Sequence, residues 1–308
     1  MESHQHQVLI SHGIGNQLFQ FAFALNLSIQ QNCLVKVENS PIVSNLGRGK
    51  SEVFRIEKLL IECPQIIFKK NLVIPNYTLL GRFLFRSGLS DTIKDFLIQS
   101  KKYELFLETR KTSFKYFPDI GLKNKSTSFQ GFWQNWQYVY PNSLLINSYL
   151  TKMLDSSSVL IDIPKKSRVL VCHVRRGDFL HRNRSSELGV INLQSYIDKI
   201  KEIKSRNSKL KVITFTDSKT SLQNENNFKE LGDIYGPGFD DYFKILRTMS
   251  KADYVISGNS TFSWWGAFMC MMNGGEVFLP KTFYKNLDTY GAFNYPGFNF
   301  YKNEFYTA

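Results

Sequence analysis

His173, Arg175, Arg176, Gly177 and Asp178 fall within six consecutive positions and concentrate charge at one point of the chain. Two neighbouring guanidiniums suit a phosphate, because each offers several fixed donors and keeps its charge near neutral pH. Gly177 lets the backbone turn or approach closely. Asp178 is the nearest carboxylate, either a base or a partner that orients the arginines. The run just before them, Val169 to Cys172, is apolar and bounded by charge, as a buried central strand is. In open α/β sheets ligands bind beyond the carboxyl ends of strands. The same residues also describe a strand end with surface arginines paired to Asp178. The motif alone leaves the two readings level.

A second stretch, Gly258-Asn259-Ser260-Thr261-Phe262-Ser263, follows another apolar run and opens a largely apolar helix. Ser260, Thr261 and Ser263 at a helix start either cap it or leave N–H groups aimed at an anion. Asp217, at the end of the strand Lys211 to Phe215, can accept hydrogen bonds from a base or ribose, or cap the next helix. Near the N-terminus, Val8 to Ile10 is a short strand. Ser11-His12-Gly13-Ile14-Gly15-Asn16-Gln17 follows, then a mostly buried helix to about Gln30. This is strand, glycine loop, helix, but not a dinucleotide fingerprint, since Leu18 holds the third glycine position. Phe129 to Tyr140 packs six aromatics, with Trp133 and Gln134 as sugar-facing candidates; a core strand with its packing is the preferred reading.

These residues need elements to position them. From Val169 onward the pattern is β, α, β, α, β, α, a doubly wound parallel sheet. Helices are expected over 143–154, 193–206, 240–250 and 262–272, and a strand over 276–279. The 308 residues suffice for two domains. The expected division is 1–155 and 156–280, with Asp155 to Ser158 as linker and the aromatic tail 281–308 packing on something, the first domain included. Residues 53–130 are harder to read. Phe54 to Leu60 and Asp91 to Gln99 have helical spacing. Between Glu62 and Asp91 there is no acid, and Lys69, Lys70, Arg82 and Arg86 alternate with apolar residues. That pattern suits a membrane surface, but solvated lysines on the first domain are preferred. Gly49-Lys50-Ser51 resembles the end of a phosphate loop without its first glycine.

Net charge is +13 and the pI about 9.4, which points to a polyanion: nucleic acid, an anionic membrane face or a phosphorylated ligand. The surplus is spread, with 18 basic and 11 acidic residues up to Asp155 and 21 and 15 beyond it. Cys33, Cys63, Cys172 and Cys270 form no Cys-x-x-Cys pair, so a zinc site is not expected. No signal-like leader and no bilayer-length apolar run is seen, so a cytosolic protein is expected, with peripheral membrane contact open. There is no Asp-x-Asp, so none of the usual metal bridge to a nucleotide diphosphate. A departing diphosphate would have to be stabilised by arginines and a helix N-terminus.

His173–Phe179 (HVRRGDF), His12–Phe23 (HGIGNQLFQFAF) and Gly258–Phe268 (GNSTFSWWGAF) resemble the signature blocks of bacterial α-1,2-fucosyltransferases. Gly131–Tyr138 and Ile213–Asp217 resemble two weaker blocks. The resemblance implies a GT-B fold of two Rossmann-like domains, a GDP-fucose donor, inversion and no metal or other cofactor. It also implies transfer to the 2-hydroxyl of a terminal β-galactoside, whether free, glycolipid or lipid-linked. The 156–280 domain would grip the donor and 1–155 shape the acceptor cleft. By the same resemblance Arg175 contacts the diphosphate, with Arg176 beside it, and His173 and Asp217 hold the guanosine. Ser260, Thr261 and Ser263 line the phosphate, and Asn16 faces the sugar behind Gly13 and Gly15. His12 departs from the family's usual glycine and Phe179 from its common tyrosine. The base is not assigned by resemblance; Asp178 is nearest and Glu187 weaker. Two alternatives stand: a related transferase of another linkage or nucleotide sugar, and a basic nucleic-acid-binding protein, whose affinity would fall steeply with salt.

Overall fold

The structure, a computed structural model, describes residues 6–39, 55–69, 104–109, 111–120, 126–155, 167–180, 186–219, 222, 225–236 and 242–306. The phosphate-loop-like 49–51, the helical spacing at 91–99 and most of the basic stretch before it lie outside these residues. So do linker positions 156–158. The chain divides into two compact units, 1–149 with 290–292, and 150–289 with 293–308.

The first unit carries β1 (Gln7–Ile10), α1 (Ile14–Gln31), β2 (Val35–Asn39), α2 (Glu57–Ile61), β3 (Ile66–Lys69), β4 (Glu104–Leu107) and β5 (Thr127–Gln130). Its strands lie in the order β3-β2-β1-β5-β4 and all pair in parallel. A parallel sheet is covered on both faces, which is why β1 is largely apolar; β2 buries Val35 and Val37 and alternates them with Lys36 and Glu38, which pair at 2.6 Å. Leu18, Phe19, Phe21, Phe23 and Leu25 of α1 are fully buried, so this helix is apolar on nearly every side. It ends at Asn32, whose left-handed backbone (φ 48°) returns its N–H to Ile29 and Ser28 carbonyls.

α3 (Ser143–Leu154) leads into the second unit. There follow β6 (Arg168–Val174), α4 (Leu193–Ser205), β7 (Leu210–Thr216), α5 (Asn226–Lys229), β8 (Asp233–Tyr235), α6 (Tyr242–Ser250), β9 (Tyr254–Ile256), α7 (Thr261–Met272), β10 (Glu276–Pro280) and β11 (Asn299–Tyr301). The order is β11-β10-β9-β6-β7-β8, parallel throughout. This is the doubly wound arrangement expected from Val169 onward: two α/β units with parallel sheets. α4 shows its cause plainly. Leu193, Tyr196, Ile197, Ile200 and Ile203 recur at helical spacing and are buried, and the Asn192 side chain caps the start by accepting from Gln194 N–H at 3.0 Å.

Apart from 290–292, the tail 281–308 does not join the first domain, the packing partner considered from the sequence. β11 extends the second sheet, pairing Phe278 with Asn299 and Pro280 with Tyr301. Phe283 and Phe293 stack at 3.7 Å, and the fully buried Trp264 donates its indole N–H to the Phe293 carbonyl at 3.0 Å. The tail aromatics are core of the second unit, and only 290–292 group with the first.

Candidate functional site

In the second sheet the chain runs one way from β6 to β7 and later returns to β9 on the other side of β6. The crevice beyond the carboxyl ends of β6 and β9 is thus the topological switch point. The register fixes what meets there. Val174 lies opposite Thr216, so Arg175 and Asp217 leave neighbouring strands side by side. Arg175 Nη1 pairs with Asp217 Oδ2 at 3.0 Å. Asp217 Oδ1 accepts the backbone N–H groups of Arg176 (2.8 Å) and Gly177 (2.9 Å). Asp217 therefore holds the 175–177 turn in shape. A Cβ at Gly177 would fall 2.7 Å from Asp217 Oδ2, so glycine is needed for this approach. At Gly258 a Cβ would fall 2.8 Å from the His173 carbonyl oxygen, and glycine there lets β9 close on β6.

The two arginines differ. Arg175 is partly exposed, paired to Asp217, and stands 5.5 Å over the Phe179 ring. Phe179, where a tyrosine was expected by resemblance, thus gives Arg175 an aromatic face. Arg176 is 6% exposed, and its Nε and Nη1 meet no acceptor among the described residues. His173 is buried, which with the Arg175 charge pushes its imidazole down to about 4 against the opposing pull of Asp217. It is neutral at pH 7, with Nδ1 lacking a partner among the described residues.

α7 begins with Ser260 in an extended N-cap conformation, and its hydroxyl makes no capping bond. The first turn thus keeps its partial positive end without a side-chain cap. Thr261 is half-buried beside it. Ser263, expected on the phosphate side, is fully buried. Its hydroxyl lies 2.9 Å from that of Ser257 and donates to the Ser260 carbonyl at 3.1 Å, so it builds the loop from inside. Asn259, not singled out from the sequence, is also fully buried, and donates from Nδ2 to the Leu188 (3.1 Å) and Gly189 (2.9 Å) carbonyls. Asp178 opens a short turn, Asp178–Leu180, in which only its backbone is described. Glu187 is exposed, and its carbonyl accepts from the Asn286 N–H.

The first unit gathers a second cluster, at the carboxyl ends of β1 and β5. His12 has φ 69°, the left-handed region that favours glycine, which gives a physical reason for a glycine there in related sequences. Its ring packs edge-on against Phe132 at 4.8 Å and Nδ1 lies 2.8 Å from the Ser11 hydroxyl. Gly13 is the N-cap of α1, exposed, with nothing within 4 Å of where a Cβ would stand; Gly15 is buried in the first turn. Asn16 Oδ1 accepts from Gln134 Nε2 at 2.8 Å, joining residues 118 positions apart. Gln20 ties the same two loops, accepting from Ser11 N–H (2.9 Å) and donating to the Gly131 carbonyl (2.7 Å). Gln17 donates to the His12 carbonyl at 2.6 Å. Gln17 and Gln20, each 1% exposed, were not expected in the site; buried amides in an otherwise apolar helix are the signal, since buried polar groups are held by hydrogen bonds. Trp133, a candidate sugar contact, is core: 1% exposed and stacked on Phe23 at 4.2 Å. Glu108, just past β4, is also buried. Its Oε2 accepts from Phe132 N–H (2.6 Å) and Trp133 N–H (3.4 Å), and burial pushes its carboxyl up to about 7.

Residues 6–289 match the family model of glycosyl transferase family 11. The chain belongs to that family. Its similarity to two proteins of Escherichia coli runs along most of its length. An α-1,2-colitosyltransferase is 26% identical over 280 residues, 89% of this chain and 90% of that protein. The O-antigen biosynthesis glycosyltransferase WbnK is 24% identical over 299 residues, 89% of this chain and 93% of that protein. Among solved structures, fucosyltransferase NodZ from Bradyrhizobium gives a TM-score of 0.48 at 14% identity, covering 85% of this chain and 92% of that one. POFUT1 in complex with GDP gives 0.46 at 12%, covering 87% and 95%. Family 11 membership makes the chain a glycosyltransferase. Among the described residues no group of three or more His, Cys, Asp or Glu side chains could hold a metal ion, and no helix is long and apolar enough to cross a membrane.

Proposed function

We propose that this family 11 enzyme transfers fucose from GDP-fucose, with inversion and without a metal ion, to the 2-hydroxyl of a terminal β-galactoside. The observation that carries this reading is Arg176. It is a buried guanidinium whose Nε and Nη1 lack acceptors among the described residues, on the turn that follows β6, and β6 lies beside β9, the strand that leads to the uncapped start of α7. A nucleotide diphosphate supplies the acceptors that such a site lacks. Arg175 and Arg176 meet the diphosphate, Ser260 and Thr261 flank it, and neutral His173 takes a hydrogen bond from or to the nucleoside. Asp217 acts by holding the arginine turn. Within the first unit, Asn16, fixed by Gln134 in the loop of Gly13 and Gly15, is the candidate for a sugar contact.

The acceptor oxygen attacks the anomeric carbon from the face opposite GDP. The bond from that carbon to the β-phosphate oxygen breaks, and its electron pair leaves with GDP. Positive charge develops on the sugar in between, as in other glycosyl displacements. The proton of the acceptor hydroxyl passes to a carboxylate, which we assign to Asp178. The α-1,2 linkage in the name of the colitosyltransferase relative supports attack by a 2-hydroxyl. The same name favours a second reading, a colitosyl donor; colitose lacks the 3-hydroxyl of fucose. We place the enzyme in the cytosol, a reducing compartment that suits its four free cysteines.

The test is a donor panel of GDP-fucose and GDP-colitose against free β-galactosides in EDTA, with product linkage read by NMR. A Fucα1,2Gal product is expected. A colitosyl product alone would give the second reading, and another linkage would overturn the assignment of the acceptor hydroxyl.

A further inference from the structure

Arg175 and Arg176 are adjacent, yet they are held in different ways. Arg175 Nη1 is engaged by Asp217 at 3.0 Å. Arg176 has no such carboxylate among the described residues. What meets its guanidinium is the ring of Tyr306, 5.4 Å from Cζ to centroid. A guanidinium over an aromatic face is attracted by the ring quadrupole. Its N–H donors point outward in its own plane and remain available. A carboxylate would have consumed them and would also repel a phosphate. The aromatic contact holds the cation in a buried place while leaving Nε and Nη1 for an anion.

Tyr306 is itself fixed from behind. Its N–H donates to the Val190 carbonyl at 2.8 Å, Phe305 bridges Ile191 in antiparallel fashion, and Asn192 N–H donates to the Glu304 carbonyl at 2.8 Å. Glu304 N–H donates to the Ser195 hydroxyl at 3.1 Å. Segment 304–306 thus lies along 190–192 like an added edge strand. The preceding residues, Leu188 and Gly189, are tied to Asn259 in the loop that opens α7. One hydrogen-bonded path, begun by the Asn259 side chain and continued by backbone, therefore connects the α7 loop to the ring over Arg176, and every residue in it belongs to the second unit.

We infer that Glu304–Tyr306 is a strap that sets Arg176 for the donor diphosphate, with Tyr306 as its positioning residue. This rests on the reading of the site as a nucleotide-diphosphate site. Tyr306 is 47% exposed, so its ring adds little to the core, and the strap is held by backbone bonds that a side-chain change leaves in place.

The experiment is a GDP titration by calorimetry on the full chain and on Tyr306→Leu and Tyr306→Phe, with thermal melting of each. Tyr306→Leu keeps apolar bulk and removes the π face; its GDP affinity should fall about tenfold, within the range of a desolvated cation–π contact. Tyr306→Phe keeps the face and should bind within about twofold of the wild type. Affinities are read well below each protein's melting transition, so only folded protein is compared. Unchanged affinity in Tyr306→Leu would overturn the strap, as would equal losses in Leu and Phe. A wild type that binds no GDP would instead overturn the donor reading, and the strap with it.

Discussion

Glu108→Gln tests how the first unit is held, and its effect has a sign fixed by linkage. Burial raises the Glu108 carboxyl from 4.5 to about 7 in the folded state, although Phe132 and Trp133 N–H groups favour its charge. Below pH 4.5 the group is protonated folded and unfolded, and contributes nothing. Between 4.5 and about 7 the folded state keeps a proton that the unfolded state has released, so stability falls as pH rises. Above 7 both are ionised and the full penalty, about 3 kcal/mol, persists. Gln carries no such penalty. The stability difference between Glu108→Gln and wild type should therefore grow by about 3 kcal/mol in favour of the variant from pH 4.5 to 8. His173 works in the other direction. Its folded value is lowered from 6.5 to about 4, so its contribution is present above 6.5 and lost as pH falls toward 4; it is the same in both proteins and cancels. Urea unfolding of both across this range, with a 13C NMR titration of the Glu108 carboxyl, makes the measurement. A flat difference from pH 5 to 8, or a midpoint near 4.5, would refute the reasoning.

Gly177→Ala should cost tenfold or more in GDP affinity, about 1.4 kcal/mol, because the new Cβ would displace Asp217 and with it the Arg175 pair; calorimetry and melting separate this from unfolding. At His12, glycine should stay within about 1 kcal/mol of wild type, since relief of the left-handed backbone offsets the lost Phe132 contact, whereas His12→Val should lose roughly 2 kcal/mol or more, both read by denaturation. Turnover with GDP-fucose should be unchanged in EDTA; loss restored by magnesium or manganese would refute metal-free transfer.

The second unit was the more legible in sequence because a parallel sheet buries both faces. Val169 to Cys172 stands out as a continuous apolar run, Lys211 to Phe215 and Asp253 to Ser257 as short β-branched and aromatic stretches, and α7 as an apolar helix behind a polar loop. β8 and β11, three residues each, are too short to show a period, and the tail reads as featureless although it completes the sheet. In the first unit β4 is four residues long, too short to show a period that would single out the buried Glu108 that follows it. Trp133 follows the core reading preferred from the sequence and Ser263 turns away from the phosphate side expected of it, for a shared reason. Residue type announces what a side chain can do, but its direction is set by the backbone: φ 54° turns Trp133 into the core beside Phe23, and Ser263 faces inward on the first turn of α7. Gln134 and Asn16 were named from separate motifs, but their bond depends on β1 and β5 being neighbours, which only the sheet order supplies.

The most direct test of the donor site is amide hydrogen exchange on the full chain with and without saturating GDP. The strongest new protection is expected at 175–178 and 260–264, where the arginine turn and the start of α7 would close on the diphosphate. GDP binding that leaves both stretches unchanged, with protection elsewhere in the chain, would contradict it.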